Sequence, residues 1–181
     1  DRLVMLMLDC ESIRDVIAIK EETGLPVIGL VKIQYPGYEG YITPTMKEVD
    51  DLVAAGSDVV ALDCTLRKRG DGITVNEFIA QIKEKYPDII LMADISNYEE
   101  GINAWKCGVD IVGTTMSGYT DYTSKKDEPD YELMERLAKD TDIPVIGEGK
   151  IHYPDQAVKA LQTGVWAIVV GGAITRPLEI A

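Results

Sequence analysis

Two glycine-rich segments in the last quarter of the chain hold its most chemically suggestive residues: Gly147-Glu148-Gly149-Lys150 and, about one helix further on, Gly171-Gly172 followed by Thr175-Arg176-Pro177. Each closes a short apolar run, so each reads as the loop after a buried strand. Glycine lets the backbone come close to an anion and aim successive N–H groups at it. The N–H groups of Gly149, Gly171 and Gly172, with Lys150 in the same loop and the Arg176 guanidinium gripping two oxygens at once, form a cradle for a phosphate. Arg176 has a blander alternative, a pair with Glu179 or a place on the surface.

Three further residues sit where side-chain chemistry is expected. Glu148 stands between two glycines at the end of an apolar strand, where a carboxylate is costly to desolvate unless it is used or paired. Lys32 follows Gly29-Leu30-Val31 and Asp94 follows Leu91-Met92-Ala93, so both close strands. Strand ends are enriched in active-site groups. The alternatives are a surface lysine for Lys32 and an N-cap of the next helix for Asp94. Asp63 and Thr65 have a weaker version of the same pattern, and His152, the only histidine, reads as a bystander in a loop.

The elements that must position these groups follow from hydrophobic periodicity, which alternates between short continuous apolar runs and amphipathic stretches of helical length. That pattern belongs to βα units around a parallel sheet buried on both faces. It predicts strands over 3–8, 26–31, 58–63, 89–94, 110–114, 143–147 and 166–170, and helices over 11–22, 44–55, 75–86, 97–107, 130–140 and 154–163. A helix end, a glycine and a strand recur at Gly56, Gly108 and Gly164. Glycine at that position stops each helix in the left-handed conformation. Helix starts are expected at Thr43 before Pro44, at Ser96 or Asn97, and at Tyr153-Pro154.

The expected fold is therefore α/β, a TIM-type (β/α)8 barrel, in which the loops after the last two strands are the usual dock for a sugar phosphate. Seven strands are readable where closure needs eight, so the barrel is read as incomplete, a single domain over 1–181 lacking the first βα unit and the last helix. An open barrel exposes the apolar edges near 3–8 and 166–170, which leads to the expectation of a homodimer.

Composition narrows the partners. A net charge of −13 over 181 residues offers no basic stripe for a nucleic-acid backbone. No apolar run of about 18 residues is present to cross a membrane. Cys10, Cys64 and Cys107 are odd in number and widely spaced, the pattern of reduced thiols in a cytoplasmic protein, and no Cys/His cluster suggests a metal.

The segments Gly29-Leu30-Val31-Lys32, 41–50, Ala61-Leu62-Asp63-Cys64-Thr65, Met92-Ala93-Asp94-Ile95-Ser96, 113–120, Gly147-Glu148-Gly149-Lys150 and 169–177 together resemble the N-acetylmannosamine-6-phosphate 2-epimerase family, in register from about residue 15 onward. The resemblance implies interconversion of N-acetylmannosamine 6-phosphate and N-acetylglucosamine 6-phosphate in amino-sugar and sialic acid catabolism, an isomerase reaction without metal or redox cofactor. It implies Lys32 as the base at C2, Glu148 as the carboxyl that moves protons at the sugar oxygens, and Asp94 as the group that orients substrate. Two positions depart from the family pattern: Asp9 or a neighbour stands where an arginine is usual, and a Lys-Arg pair reads Lys32-Ile33. Two other readings stay open: another sugar-phosphate enzyme of the lyase or synthase type, and a non-catalytic remnant, for which Asp9, Ile33 and the missing first strand argue.

Overall fold

The computed structural model describes residues 5–9 and 13–179, which divide into two compact units, 1–92 and 93–181. Seven strands alternate with helices in chain order. The first unit contains β1 (Leu6–Asp9), α1 (Ile13–Thr23), β2 (Val27–Leu30), α2 (Met46–Ala54), β3 (Val59–Asp63), α3 (Val75–Lys85) and the first residues of β4 (Ile90–Asp94). The second contains the end of β4, α4 (Tyr98–Lys106), β5 (Ile111–Gly113), α5 (Tyr131–Asp140), β6 (Val145–Glu148), α6 (Pro154–Gln162), β7 (Ala167–Val169) and the single turn α7 (Gly172–Thr175).

Within the first unit β1 pairs with β2 in parallel, Leu6 opposite Val27 and Asp9 opposite Leu30, and β2 pairs with β3 at Ile28–Val59 and Gly29–Val60. Every residue of β2 and β3 is buried. The helices close over them with Val49 and Leu52 from α2 and Phe78, Ile79 and Ile82 from α3, all at most 1 % exposed. Burial on both faces explains why these strands read as continuous apolar runs rather than alternating ones. Thr45 caps α2 and Thr74 caps α3, each in a reciprocal box with the glutamate three residues on, Glu48 and Glu77.

In the second unit β5 pairs with β6 at Val112–Val145, and β6 with β7 at Ile146–Ala167 and Glu148–Val169, again parallel. Met134 and Leu137 of α5 are fully buried. Gly101 in α4 lies against Leu137, so close that an added Cβ would stand 2.6 Å from its Cδ2. The outer part of this unit is less well covered: β7 is half-buried throughout, and Val158, Leu161 and Trp166 are 55 %, 46 % and 58 % exposed.

The observed strands fall on the predicted ones, mostly with trimmed ends; β1 instead runs to Asp9, one residue past the predicted 3–8, of which 3 and 4 lie outside the described residues, and three further local expectations need correction. The helix after β2 starts later than Thr43-Pro44 suggested, because Thr45 caps it; Thr43 is buried at φ +45° and gives its hydroxyl to Ala61 O. The sixth strand begins at Val145, since Pro144 has no N–H for the ladder, and it runs one residue further, so Glu148 is its last residue. The Gly171-Gly172 loop winds at once into α7, with Arg176 N–H donating to Gly172 O at 2.8 Å. Asn97, Tyr153 and the three glycines at Gly56, Gly108 and Gly164 (φ +79°, +87°, +95°) are as expected. Cys64 and Cys107 are free thiols, and Cys10 lies outside the described residues. No helix among the described residues is long and apolar enough to cross a membrane.

The α5 cap makes a pH-dependent contribution. Asp130 accepts from Leu133 N–H, from the Ser117 hydroxyl at 2.7 Å and from the Lys126 ammonium at 2.7 Å. Burial pushes its carboxyl up, but the bonds from Lys126 and Ser117 outweigh burial and hold it below the usual aspartate range. A carboxyl depressed in the folded state binds protons more weakly there than when unfolded. Its stabilisation is therefore complete above the unfolded value of about 3.9 and is lost as pH falls through the folded one. Asp130→Asn keeps a capping side chain without the charge. Urea midpoints measured from about pH 5 down to pH 2 are expected to fall less steeply in this variant than in the parent.

Candidate active site

The strand ends of the first unit carry Lys32 and Asp63. Lys32 is exposed and lies two residues beyond β2, where its backbone pairs antiparallel with Ile42. The chain leaves at Ile33, goes out through 34–40 and returns as a short arm. Ile33 N–H donates to Tyr41 O at 2.9 Å and Thr43 N–H to Val31 O at 2.7 Å. The Thr43 hydroxyl accepts from Val31 N–H and donates 2.6 Å to Ala61 O, so one side chain ties the arm to both β2 and β3.

Asp63, the last residue of β3, fixes the same arm from the other side. Its buried carboxylate accepts from Tyr41 N–H at 3.3 Å, Thr65 N–H at 3.1 Å, the Thr65 hydroxyl and Arg67 Nη2 at 2.6 Å. Gly40 is required by this approach, because a Cβ there would stand 3.0 Å from the carboxyl carbon. Asp63 is thus a structural anchor of the lysine-bearing loop. Arg67, which nothing in the sequence reading singled out, neutralises it and lies 5.9 Å above the Tyr41 ring. A cavity of about 10 Å³ beside them, lined by Tyr38, Asp63, Thr65 and Arg69 among others, has room for roughly one water. The buried Arg69 Nε has no hydrogen-bond partner among the described residues and is the group such a water would satisfy.

In the second unit the ends of β4, β5 and β6 meet through two consecutive threonines. Thr114, fully buried just after β5, grips the Glu148 backbone at both ends: its oxygen accepts from Glu148 N–H and its hydroxyl donates to Glu148 O, each at 2.9 Å. The Thr115 hydroxyl lies 2.6 Å from Asp94 Oδ1 and 3.2 Å from Glu148 Oε2. Two of the three predicted side-chain candidates, Asp94 and Glu148, are therefore joined through one oxygen. Asp94 is fully buried and does not cap α4; Asn97 does, accepting from Glu100 N–H at 3.0 Å. Glu100 is held in turn by Ser96 N–H, the Ser96 hydroxyl and Tyr122.

The predicted glycine loops start side by side, because Glu148 and Val169 are register partners, Gly149 follows the first directly and Gly171 follows the second after Val170. Gly149 has φ +99° and Lys150, a non-glycine residue, has φ +61°. A side chain held in that region costs about 1 kcal/mol or more and persists where surroundings dictate it. Lys150 swings its ammonium over the Tyr119 ring, 5.1 Å from the centroid, and against Gly118, whose φ of +78° favours glycine. Lys150 thereby touches the β5–α5 loop. Gly171 and Arg176 are exposed, and Gly172 opens α7. The Glu179 side chain and the Asp9 side chain lie outside the described residues.

A βα repeat with carboxyl, amine and glycine loops at the C-terminal ends of its strands fits the TIM-type barrel class. A solved structure of N-acetylmannosamine-6-phosphate 2-epimerase from Clostridium perfringens superposes with a TM-score of 0.90 at 46 % identity, covering 97 % of this chain and 75 % of that one. A family profile described as "Putative N-acetylmannosamine-6-phosphate epimerase" matches residues 5–181. Relatives named "Putative N-acetylmannosamine-6-phosphate 2-epimerase" are 57 % identical over 166 residues in Caldanaerobacter subterraneus and 51 % identical over 167 residues in Clostridioides difficile. Each alignment covers 92 % of this chain and 70 % and 74 % of the respective relative. The chain belongs to the N-acetylmannosamine-6-phosphate epimerase family.

Proposed function

We propose that the chain inverts C2 of N-acetylmannosamine 6-phosphate to give N-acetylglucosamine 6-phosphate, an isomerase reaction on the open-chain sugar. The C2–H bond is acidic only beside a polarised carbonyl, so the reaction needs a base at carbon, an acid near oxygen and a fixed phosphate. In this reading Lys32 takes the C2 proton while the bond's electrons move to the aldehyde oxygen, which accepts a proton from Glu148. The planar intermediate then turns its other face to Lys32, which delivers a proton to C2 there while the oxygen gives its proton back to Glu148, so C2 emerges with inverted configuration. Asp94 orients the substrate. The N–H groups of Gly149, Gly171 and Gly172, with Arg176 and Lys150, hold the phosphate. The reading supposes a homodimer in the cytoplasm; the exposed apolar residues Val158, Leu161 and Trp166 motivate the dimer, and a monomeric mass in light scattering would count against it.

The observation that carries the proposal is the treatment of Glu148: a half-buried carboxyl whose backbone is held by the Thr114 hydroxyl and whose side chain meets the Thr115 hydroxyl, shared with Asp94. A solvated glutamate needs neither. The family relationship supplies the substrate, and Asp94 in the same hydrogen-bonded group supplies a second polar contact for it. Lys32→Met and Glu148→Gln are each expected to lower kcat by about 10²-fold to 10⁴-fold, read by proton NMR of the two sugar phosphates. Parental turnover in either variant would remove that residue from its role.

A further inference from the structure

We propose that Thr115 is a positioning residue for Glu148, holding its carboxyl in register with Asp94. This rests on the reading of Glu148 as the acid at the sugar oxygen. The argument begins with what Thr115 is not needed for. It caps no helix: α5 begins at Tyr131 under Asp130, and the backbone of Glu148 is already satisfied by Thr114. The hydrogen bonds of the Thr115 hydroxyl among the described residues run to carboxyl oxygens only, one on β4 and one on β6.

A hydroxyl has one hydrogen and two lone pairs. The Thr115 hydroxyl stands as donor toward both carboxyls, 2.6 Å from Asp94 Oδ1 and 3.2 Å from Glu148 Oε2, so its one hydrogen serves two oxygens and ties them to a single point. An acid that must hand its proton to a developing oxyanion needs a fixed position, and the shared hydroxyl provides it. The donor and its receiver stand 33 residues apart in sequence, so only the adjacent ends of β5 and β6 bring them together.

The test compares Thr115→Val, which keeps the shape and removes the hydroxyl, with Thr115→Ser, which keeps the hydroxyl and removes the methyl. With N-acetylmannosamine 6-phosphate as substrate, Thr115→Val is expected to lower kcat by about 100-fold, the cost of misplacing a catalytic group. KM and the thermal midpoint should stay near the parent, and Thr115→Ser should recover most of the lost kcat. Parental kcat in the valine variant overturns the proposal. So does a loss confined to KM or to thermal stability, or a serine variant as impaired as the valine one; the serine comparison decides the matter if the valine variant folds poorly. Glu148→Gln run alongside separates the two readings. If it abolishes turnover while Thr115→Val does not, this inference alone fails; if it turns over normally, the underlying role of Glu148 fails as well.

Discussion

The constraint on which the rest depends is the cost of burying a carboxylate at the end of an apolar strand. Four of the strands, β1, β3, β4 and β6, finish in an acidic residue, and the last residues of β3, β4 and β6 are buried or half-buried. An ionised group removed from water costs several kcal/mol unless hydrogen bonds or an opposite charge replace its hydration. The fold meets this demand differently at each site. Asp63 receives a guanidinium and three further donors, which commits it to structure. Asp94 and Glu148 share the Thr115 hydroxyl, which ties the two carboxyls to one point.

A carboxylate locked to arginine stays ionised and is spent; one held by threonine can still gain or give up a proton. The anchor in the first unit fixes the returning arm of the β2–α2 loop, and with it the backbone of Lys32. The threonine pair in the second unit fixes Glu148, and the glycine after it turns the chain so that Lys150 reaches the β5–α5 loop. Backbone geometry and side-chain chemistry are thus set by the same few hydrogen bonds.

Much of this was legible in the chain alone. Strands buried on both faces announce themselves as apolar runs, and the glycines at 56, 108 and 164 mark helix ends because the left-handed backbone there excludes most other residues. Glu148, Asp94 and Lys32 were visible because a charge closing an apolar strand is conspicuous. Thr114, Thr115 and Arg67 were not, since a threonine after a strand is an ordinary residue until its partner, 33 or 34 residues away, is known. Thr43 misled for a related reason: a threonine before proline resembles a helix cap, and only the nearby Ala61 carbonyl gives its hydroxyl a different use.

The central claim is that catalysis proceeds by removal and return of one proton at C2. Running the conversion of N-acetylmannosamine 6-phosphate in deuterated water and reading C2 by NMR or mass spectrometry tests it most directly. The account predicts deuterium at C2 of the N-acetylglucosamine 6-phosphate formed, and gradual appearance of the same label in recovered substrate. Product that forms at the normal rate with its original hydrogen retained at C2 would contradict it.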